Sequence, residues 1–231
     1  MKIFQMLLSF VVVMVIGLSA AAQEDWKFEH TRDGIDVYTR AISGSSIYAF
    51  KGVGIMDAPL EEVAELINDI SATPQWASDM KEARILSKKD DYNMLVYNIL
   101  DLPWPVSDRD FVVESKAEID LSKGRVIICA NALKDPPIPK NNECVRVKNL
   151  QIKYLLEYID REHTRVTLTG WADPAGYLPA AVVNLTATKT PYRSLTGMRR
   201  ILKSEKYIAL AKTSRYRTMV EKQIALGNLK P

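Results

Sequence analysis

The strongest constraint on the fold is the stretch 101–120, in which a proline-stiffened loop runs directly into a two-faced strand. Pro103 and Pro105 fix φ and remove two hydrogen-bond donors, so Trp104 is predicted to lie on an extended arm that cannot be helical. Small or apolar side chains then alternate with mostly charged ones, the first set being Phe111, Val113, Ser115, Ala117 and Ile119. Because successive strand side chains point to opposite faces, one face should lie in water and the other against packed core or a ligand.

Arg109 opens this strand between two acids, Asp108 and Asp110. Its guanidinium would match a carboxylate or phosphate bidentately, so it could clamp a ligand. Alternatively, Arg109 forms a structural ion pair with Asp110 that pins the proline loop to the sheet. The ion pair is the favoured interpretation, because Arg109 begins the strand rather than lying in the middle of its inner face.

Residues 1–22 have the pattern of a secretory signal peptide. Lys2 gives a positive start, an apolar run occupies residues 3–18, and alanines at 20–22 offer a cleavage site. The alternative is an uncleaved membrane anchor, since about 20 apolar residues can span a bilayer. Cleavage is favoured by the small residues, and no second apolar span follows. The mature chain is therefore expected to be exported, either periplasmic or secreted.

The net charge of +3 hides an asymmetry along the chain. Residues 189–231 carry 11 Lys and Arg against 2 Asp and Glu, whereas residues 23–188 carry 19 against 26. The basic C-terminal segment could make transient contact with an anionic membrane surface, or it could be a solvated helix face. No groove-reading motif is present, so nucleic acid is not an expected partner, and a monomer is expected.

The two cysteines, Cys129 and Cys144, permit one disulfide in an exported chain. They lie in strand-like runs joined by a proline-rich loop. If these runs pair as an antiparallel hairpin, the cysteines could lie opposite each other. The alternative is two small buried thiols.

Periodicity elsewhere predicts an α+β fold. Strand-like runs occupy residues 35–40, 47–55, 83–87, 94–100, 125–130, 144–148, 150–159 and 165–171. An early helix follows from the spacing of Val63, Leu66 and Ile67. A long helix should start at Pro179, with a kink or break at Pro191. Its predicted apolar stripe is Ala181, Leu185, Thr188, Tyr192, Leu195 and Leu202. The segment 204–231 is predicted to be a basic C-terminal extension beyond a domain at 23–203, with one helix over 204–226.

The sequence offers little for catalysis. His30 and His163 are far from any Cys or acid cluster, so neither a metal site nor a cofactor is expected. No G-x-S-x-G, HExxH or P-loop motif occurs. The chain is therefore not expected to be an enzyme.

Three motifs, in this order, resemble the START family of lipid-transfer domains. They are TPQWASDMKEARIL around Trp76, SDRDF at residues 107–111 and WADPAGYLP at residues 171–179. The resemblance covers about residues 26–203. It implies the helix-grip fold, a curved antiparallel sheet wrapped around a long C-terminal helix with an internal hydrophobic tunnel. It also implies non-catalytic binding and transfer of a lipid or other hydrophobic molecule.

Given this resemblance, the small Ser115 and Ala117 favour a tunnel, because close-packed interiors rarely keep empty volume beneath a curved sheet. The predicted ligand-binding residues are Tyr97, Phe111, Val113, Ser115, Ala117, Ile128, Val147, Val182 and Leu185. Trp76, Tyr154 and Trp171 could also line the tunnel. By the same resemblance, the predicted gate places Leu102, Trp104 and Val106 opposite Leu178 and Val182.

Two other functions remain compatible with the sequence. One is a helix-grip enzyme, such as a cyclase or hydrolase acting on a hydrophobic substrate, which requires polar groups that converge inside the tunnel. The other is an envelope interaction module whose basic tail docks a partner.

Overall fold

A curved antiparallel sheet that does not close on itself forms the body of the protein, in a computed structural model that describes residues 25–231. The predicted signal peptide lies outside the described residues. The ten strands are β1 (Lys27–Arg32), β2 (Ile35–Ala41), β3 (Tyr48–Met56), β4 (Met80–Asp90), β5 (Asn93–Leu100), β6 (Asp108–Asp120), β7 (Arg125–Ala132), β8 (Cys144–Arg146), β9 (Asn149–Tyr158) and β10 (Thr164–Asp173). They are ordered β1-β2-β3-β10-β9-β7-β6-β5-β4, and the short β8 pairs with β6 in parallel.

The helices lie between β3 and β4 and after β10. They are α1 (Leu60–Asn68), α2 (Thr73–Trp76), α3 (Ala180–Ile201), α4 (Glu205–Thr213) and α5 (Arg215–Ala225). This arrangement confirms the predicted α+β helix-grip fold, with α3 as the long helix held by the sheet. Within residues 25–231, no helix has both the length and the hydrophobicity needed to cross a bilayer.

Helix α3 lies directly on β3 because that strand has glycine at the contact. A Cβ atom at Gly52 would lie 2.6 Å from the Cβ atom of Pro191. Pro191 is buried within a continuous helix, so the predicted break there does not occur. The buried face of α3 is Ala187, Pro191, Ser194, Leu195 and Met198. Of the predicted stripe, Leu195 lies on this face and Leu202 is buried just beyond the helix, whereas Leu185 is exposed. The fit of Pro191 onto glycine therefore sets which face of α3 turns inward.

Helix α2 crosses α3 at a similarly close contact. A Cβ atom at Gly197 would lie only 2.2 Å from the backbone oxygen of Trp76. No side chain larger than hydrogen fits there without movement of the backbone. Trp76, the tryptophan of the first sequence motif, is therefore held against α3.

The segment predicted as a C-terminal extension forms two helices rather than one. The chain turns between them at Ser214, whose Oγ accepts a hydrogen bond of 3.1 Å from the Tyr216 amide. Tyr207 and Tyr216 are fully buried and belong to the same hydrophobic cluster as Leu195 and Val126. Helices α4 and α5 pack on α1 and complete the main core.

The cysteines form no disulfide, which corrects the prediction of a Cys129–Cys144 bond. Cys129 pairs with Lys116 of β6, whereas Cys144 pairs with Asp108. These two positions lie eight residues apart, or about 27 Å at ~3.4 Å per residue. A disulfide needs Cα atoms within about 7 Å. The predicted hairpin is wrong, because both runs pair with β6 in succession rather than with each other.

Candidate ligand-binding site

A cavity of about 290 Å³ lies between the sheet and the N-terminal half of α3. Its walls are mostly apolar. The strands contribute Phe50, Leu100, Phe111, Leu150, Ile152 and Leu168, and α3 contributes Val182, Val183 and Ala187. Apolar concave sites with a few polar groups are the usual places for small hydrophobic ligands.

Two proline-containing segments face each other across one end of the cavity. The loop after β5 supplies Leu102, Pro103 and Val106, and the turn after β10 supplies Pro174 and Leu178. We call these segments, residues 101–107 and 174–179, the two lips. Of the predicted gate residues, Leu102, Val106, Leu178 and Val182 line the cavity, whereas Trp104 does not and is 92% exposed.

The cavity extends from the lips along β9 to Tyr154. The residues that line the cavity along β9 run from Leu150 to Tyr154, about 14 Å at ~3.4 Å per residue, so the space extends along this strand. The Tyr154 ring meets the Trp76 ring edge-on, with centroids 6.0 Å apart. Burial raises the pKa of the Tyr154 hydroxyl well above its ordinary value. Among residues 25–231, the only fully buried side-chain polar atom without a hydrogen-bond partner is Trp76 Nε1.

Arg109 is the charged group beside the lips, and only 4% of its surface is exposed. Its Nη1 donates to the Ser107 oxygen at 2.5 Å. Its Nε and Nη2 donate to the oxygens of Pro174 and Ala175 at 3.0 and 3.2 Å. One guanidinium thus holds both lips, and burial lowers its pKa.

The predicted ion pair between Arg109 and Asp110 is wrong. Adjacent strand residues point to opposite faces, so Asp110 turns away from the cavity. Its carboxylate instead accepts from Nε and Nη2 of Arg146 at 2.9 and 2.7 Å. Tyr97 also donates to Asp110, at 3.3 Å. The actual pair fastens β8 to β6 behind the cavity wall.

The structure divides the predicted ligand-binding residues into four groups, the last of which is Tyr97 and Leu185. Phe111, Val147 and Val182 line the cavity. Val113 packs with Phe111 and Val147 in a small cluster beside it. Farther along the sheet, Ala117 and Ile128 pack in or against the main core near residues such as Tyr216. Neither of them lines the cavity, and Ser115 does not line it either.

Tyr97 and Leu185 lie on faces that point away from the cavity. Tyr97 pairs directly with Val112 and shares its outward direction, whereas Met94 and Val96 point inward. Leu185 is 59% exposed on the outer side of α3.

The sequence interpretation missed the wall formed by β9 and β10. Leu150, Ile152 and Tyr154 alternate along β9, and Leu168 and Ala172 oppose them on β10. Of these residues, only Tyr154 is among those predicted from the sequence to line the tunnel. Trp171, which is also among those predicted, lines the cavity as well. The alternation of apolar residues at positions 150, 152 and 154 was the sequence signal from which this wall could have been predicted. Within the described part of the chain, no group of three His, Cys, Asp or Glu residues could hold a metal ion.

Comparison with known proteins gives a consistent result. The chain is 30% identical to an uncharacterised protein of Pseudomonas aeruginosa, over 80% of this chain and 91% of that protein. It is 27% identical to the phosphatidylcholine transfer protein of Bos taurus, over 74% of this chain and 79% of that protein.

Among solved structures, a STAR-related lipid transfer protein from Xanthomonas axonopodis superposes with a TM-score of 0.71 and 28% identity. The match covers 78% of this chain and 99% of that one. The START domain family model matches residues 15–206 of the sequence. The chain therefore belongs to the START domain family.

Proposed function

We propose that the protein binds and transfers a lipid or other acyl-chain molecule without a chemical reaction. The observation that carries the proposal is the apolar cavity between α3 and the sheet, lined at one end by the two lips. Family membership and similarity to lipid-transfer proteins support it. The proposal includes export, which depends on the sequence of residues 1–22, and a monomer as the working form.

The energetics of this cavity suit reversible binding. Each buried CH₂ gains about 0.8 kcal/mol, so a chain of some ten groups gains ~8 kcal/mol gross. Loss of translational and rotational freedom takes back at least ~4 kcal/mol. The net affinity would be sufficient to hold a lipid but weak enough to release it.

Entry and release require the two lips to separate. The hydrogen bonds from Arg109 to Ser107, Pro174 and Ala175 connect them across the cavity mouth. Leu102 and Val106 of one lip and Leu178 of the other all line the cavity. In our proposal the lips are the gate and Arg109 is its latch.

Filling the cavity should test binding directly. Ala187 is buried and lines the cavity, so Ala187→Trp would place an indole in the ligand's space. We expect at least a tenfold loss in uptake of a fluorescent fatty acid or phospholipid, measured by titration. Leu185→Trp, on the exposed side of the same helix, is the matched control and should leave uptake within twofold. Undiminished uptake by a folded Ala187→Trp variant would contradict the proposed site.

Contact with a membrane is the second part of the proposal. Trp104 and Tyr177 are almost fully exposed on the two lips, and aromatic side chains partition well into a membrane interface. Replacing both with Ala should weaken binding to anionic phospholipid vesicles about three- to tenfold in a sedimentation assay. Phe28→Ala changes an exposed aromatic residue on the edge strand β1 and should have no effect. Equal losses in both variants would argue against docking through the lips.

A further inference from the structure

Arg109 differs from the other buried cation in the structure in having no carboxylate partner. Asp110 and Arg146 neutralise each other on the outer face. In the part of the chain that the structure describes, no carboxylate lies within ion-pair distance of Arg109. A positive charge that is 4% exposed is therefore balanced only by the dipoles of three carbonyl groups.

Three acids near Arg109, in the chain or at the cavity, have other partners. Asp108 accepts from the Lys81 amine at 2.7 Å. Asp79, which lines the cavity, pairs with Arg193 at 3.3 Å. Asp173 accepts from the backbone amide of Ala175 at 3.1 Å. None of these carboxylates is positioned as a counter-ion for Arg109.

The guanidinium also has unused hydrogen-bonding capacity. It carries five N–H donors in a planar fork, of which three are used by carbonyl oxygens. A buried ionised group without a counter-ion is costly, and the cost falls when an anion pairs with it. Carboxylate and phosphate oxygens match the guanidinium fork in geometry and in charge.

The position of Arg109 sets the orientation of any such ligand. Arg109 lies at the lips, and the cavity extends from there along Leu150 and Ile152 to Tyr154. Among the described residues that line the cavity, only Arg109 and Asp79 are charged, and Asp79 is paired with Arg193. An amphiphile would therefore bind with its charged group at the lips and its chain toward Tyr154.

We propose that the ligand is an anionic amphiphile whose carboxylate or phosphate group binds Arg109 while its hydrocarbon chain fills the cavity. This inference rests on the proposed function and names its substrate class. It also gives the latch a second role, since the residue that joins the lips would contact the ligand's charged end.

The first test compares three single-chain probes of equal length on the unmodified protein. They are a fatty acid, a single-chain phosphate monoester and the corresponding neutral alcohol, measured by displacement of a fluorescent chain. We expect at least tenfold tighter binding of one or both anions than of the alcohol. Whichever anion binds more tightly identifies the charged group of the ligand as a carboxylate or as a phosphate. Equal affinity for all three would overturn this inference but leave lipid binding intact, whereas failure of all three to bind would count against the proposed function itself.

The second test assigns the preference to Arg109. The quantity to compare is the ratio of anion affinity to alcohol affinity within each variant, because loss of the latch changes both affinities. Arg109→Gln should bring this ratio to about one, and Arg109→Lys should retain part of the preference for the anion. Lys81→Gln removes an exposed cation from the neighbouring strand and should leave the preference unchanged. If Arg109→Gln does not fold, the Arg109→Lys and Lys81→Gln variants decide. A preference lowered by Lys81→Gln and unchanged by Arg109→Lys would overturn the assignment.

Discussion

Replacing Asp110 with Asn is expected to lower the free energy of unfolding by about 3–5 kcal/mol, because it leaves a buried arginine without its counter-ion. Asp110 is completely buried, and its two oxygens accept from Arg146 at 2.9 and 2.7 Å. The side chain of Arg146 is only 8% exposed, so water cannot readily replace the lost carboxylate. Arg146 also donates to the Pro139 oxygen at 3.1 Å, so the loop that covers this face should loosen as well.

Urea unfolding followed by circular dichroism would measure this loss. Arg146→Met should cost a similar amount, and the double variant should cost much less than the sum, since neither charge then remains alone. Arg125→Gln, which breaks a half-exposed pair with Glu157, is the control and should cost less than about 1 kcal/mol. A loss below 1 kcal/mol in Asp110→Asn would mean that Arg146 finds another partner.

The second large effect concerns Glu62, which is buried in the first turn of α1 beside Glu61. Burial, and then repulsion from Glu61, raise the pKa of Glu62 from 4.5 to about 7. The folded protein therefore holds this proton more tightly than the unfolded chain. Between pH 4.5 and 7 the contribution of Glu62 to stability falls as pH rises, and above pH 7 the loss is complete. Glu62→Gln should be more stable than the unmodified protein by about 2 kcal/mol at pH 8.

Urea unfolding at pH 5 and pH 8 would measure this difference. Glu62→Gln and the unmodified protein should be nearly equal in stability at pH 5, and Glu62→Gln should be the more stable of the two at pH 8. Glu118→Gln, an exposed residue on β6, should not change the pH dependence. Burial also raises the pKa of Glu61, so some pH dependence should persist in Glu62→Gln. Equal stability of Glu62→Gln and the unmodified protein at both pH values would contradict the conclusion that the Glu62 carboxylate destabilises the fold.

The overall architecture could be predicted because its main signals are local. The alternation along β6 gives the inward direction of Phe111 and Val113 without knowledge of the neighbouring strands. The prolines at 103 and 105 exclude a helix between β5 and β6. Three motifs in order then indicated the family and two of the segments at the cavity mouth.

The site itself was harder to predict because it depends on distant partners. Arg146 lies 36 residues from Asp110, and no local pattern joins them. The inward face of α3 depends on the contact between Pro191 and Gly52, which is invisible in the helix alone. Two errors were avoidable, however. Alternation alone excludes an ion pair between neighbouring strand residues such as Arg109 and Asp110. The same alternation places the Tyr97 side chain on the other face of β5 from Met94 and Val96.

Tyr207 and Tyr216, near the end of the chain, are buried in the same core as residues from the first strands. During synthesis the amino-terminal strands emerge first, and the core they share with Tyr207 and Tyr216 stays incomplete until those residues have also been made. The final packing of this core therefore has to wait until synthesis has passed Val220. A chain shortened to end before residue 204 would lack both tyrosines and would leave this part of the interior exposed to water.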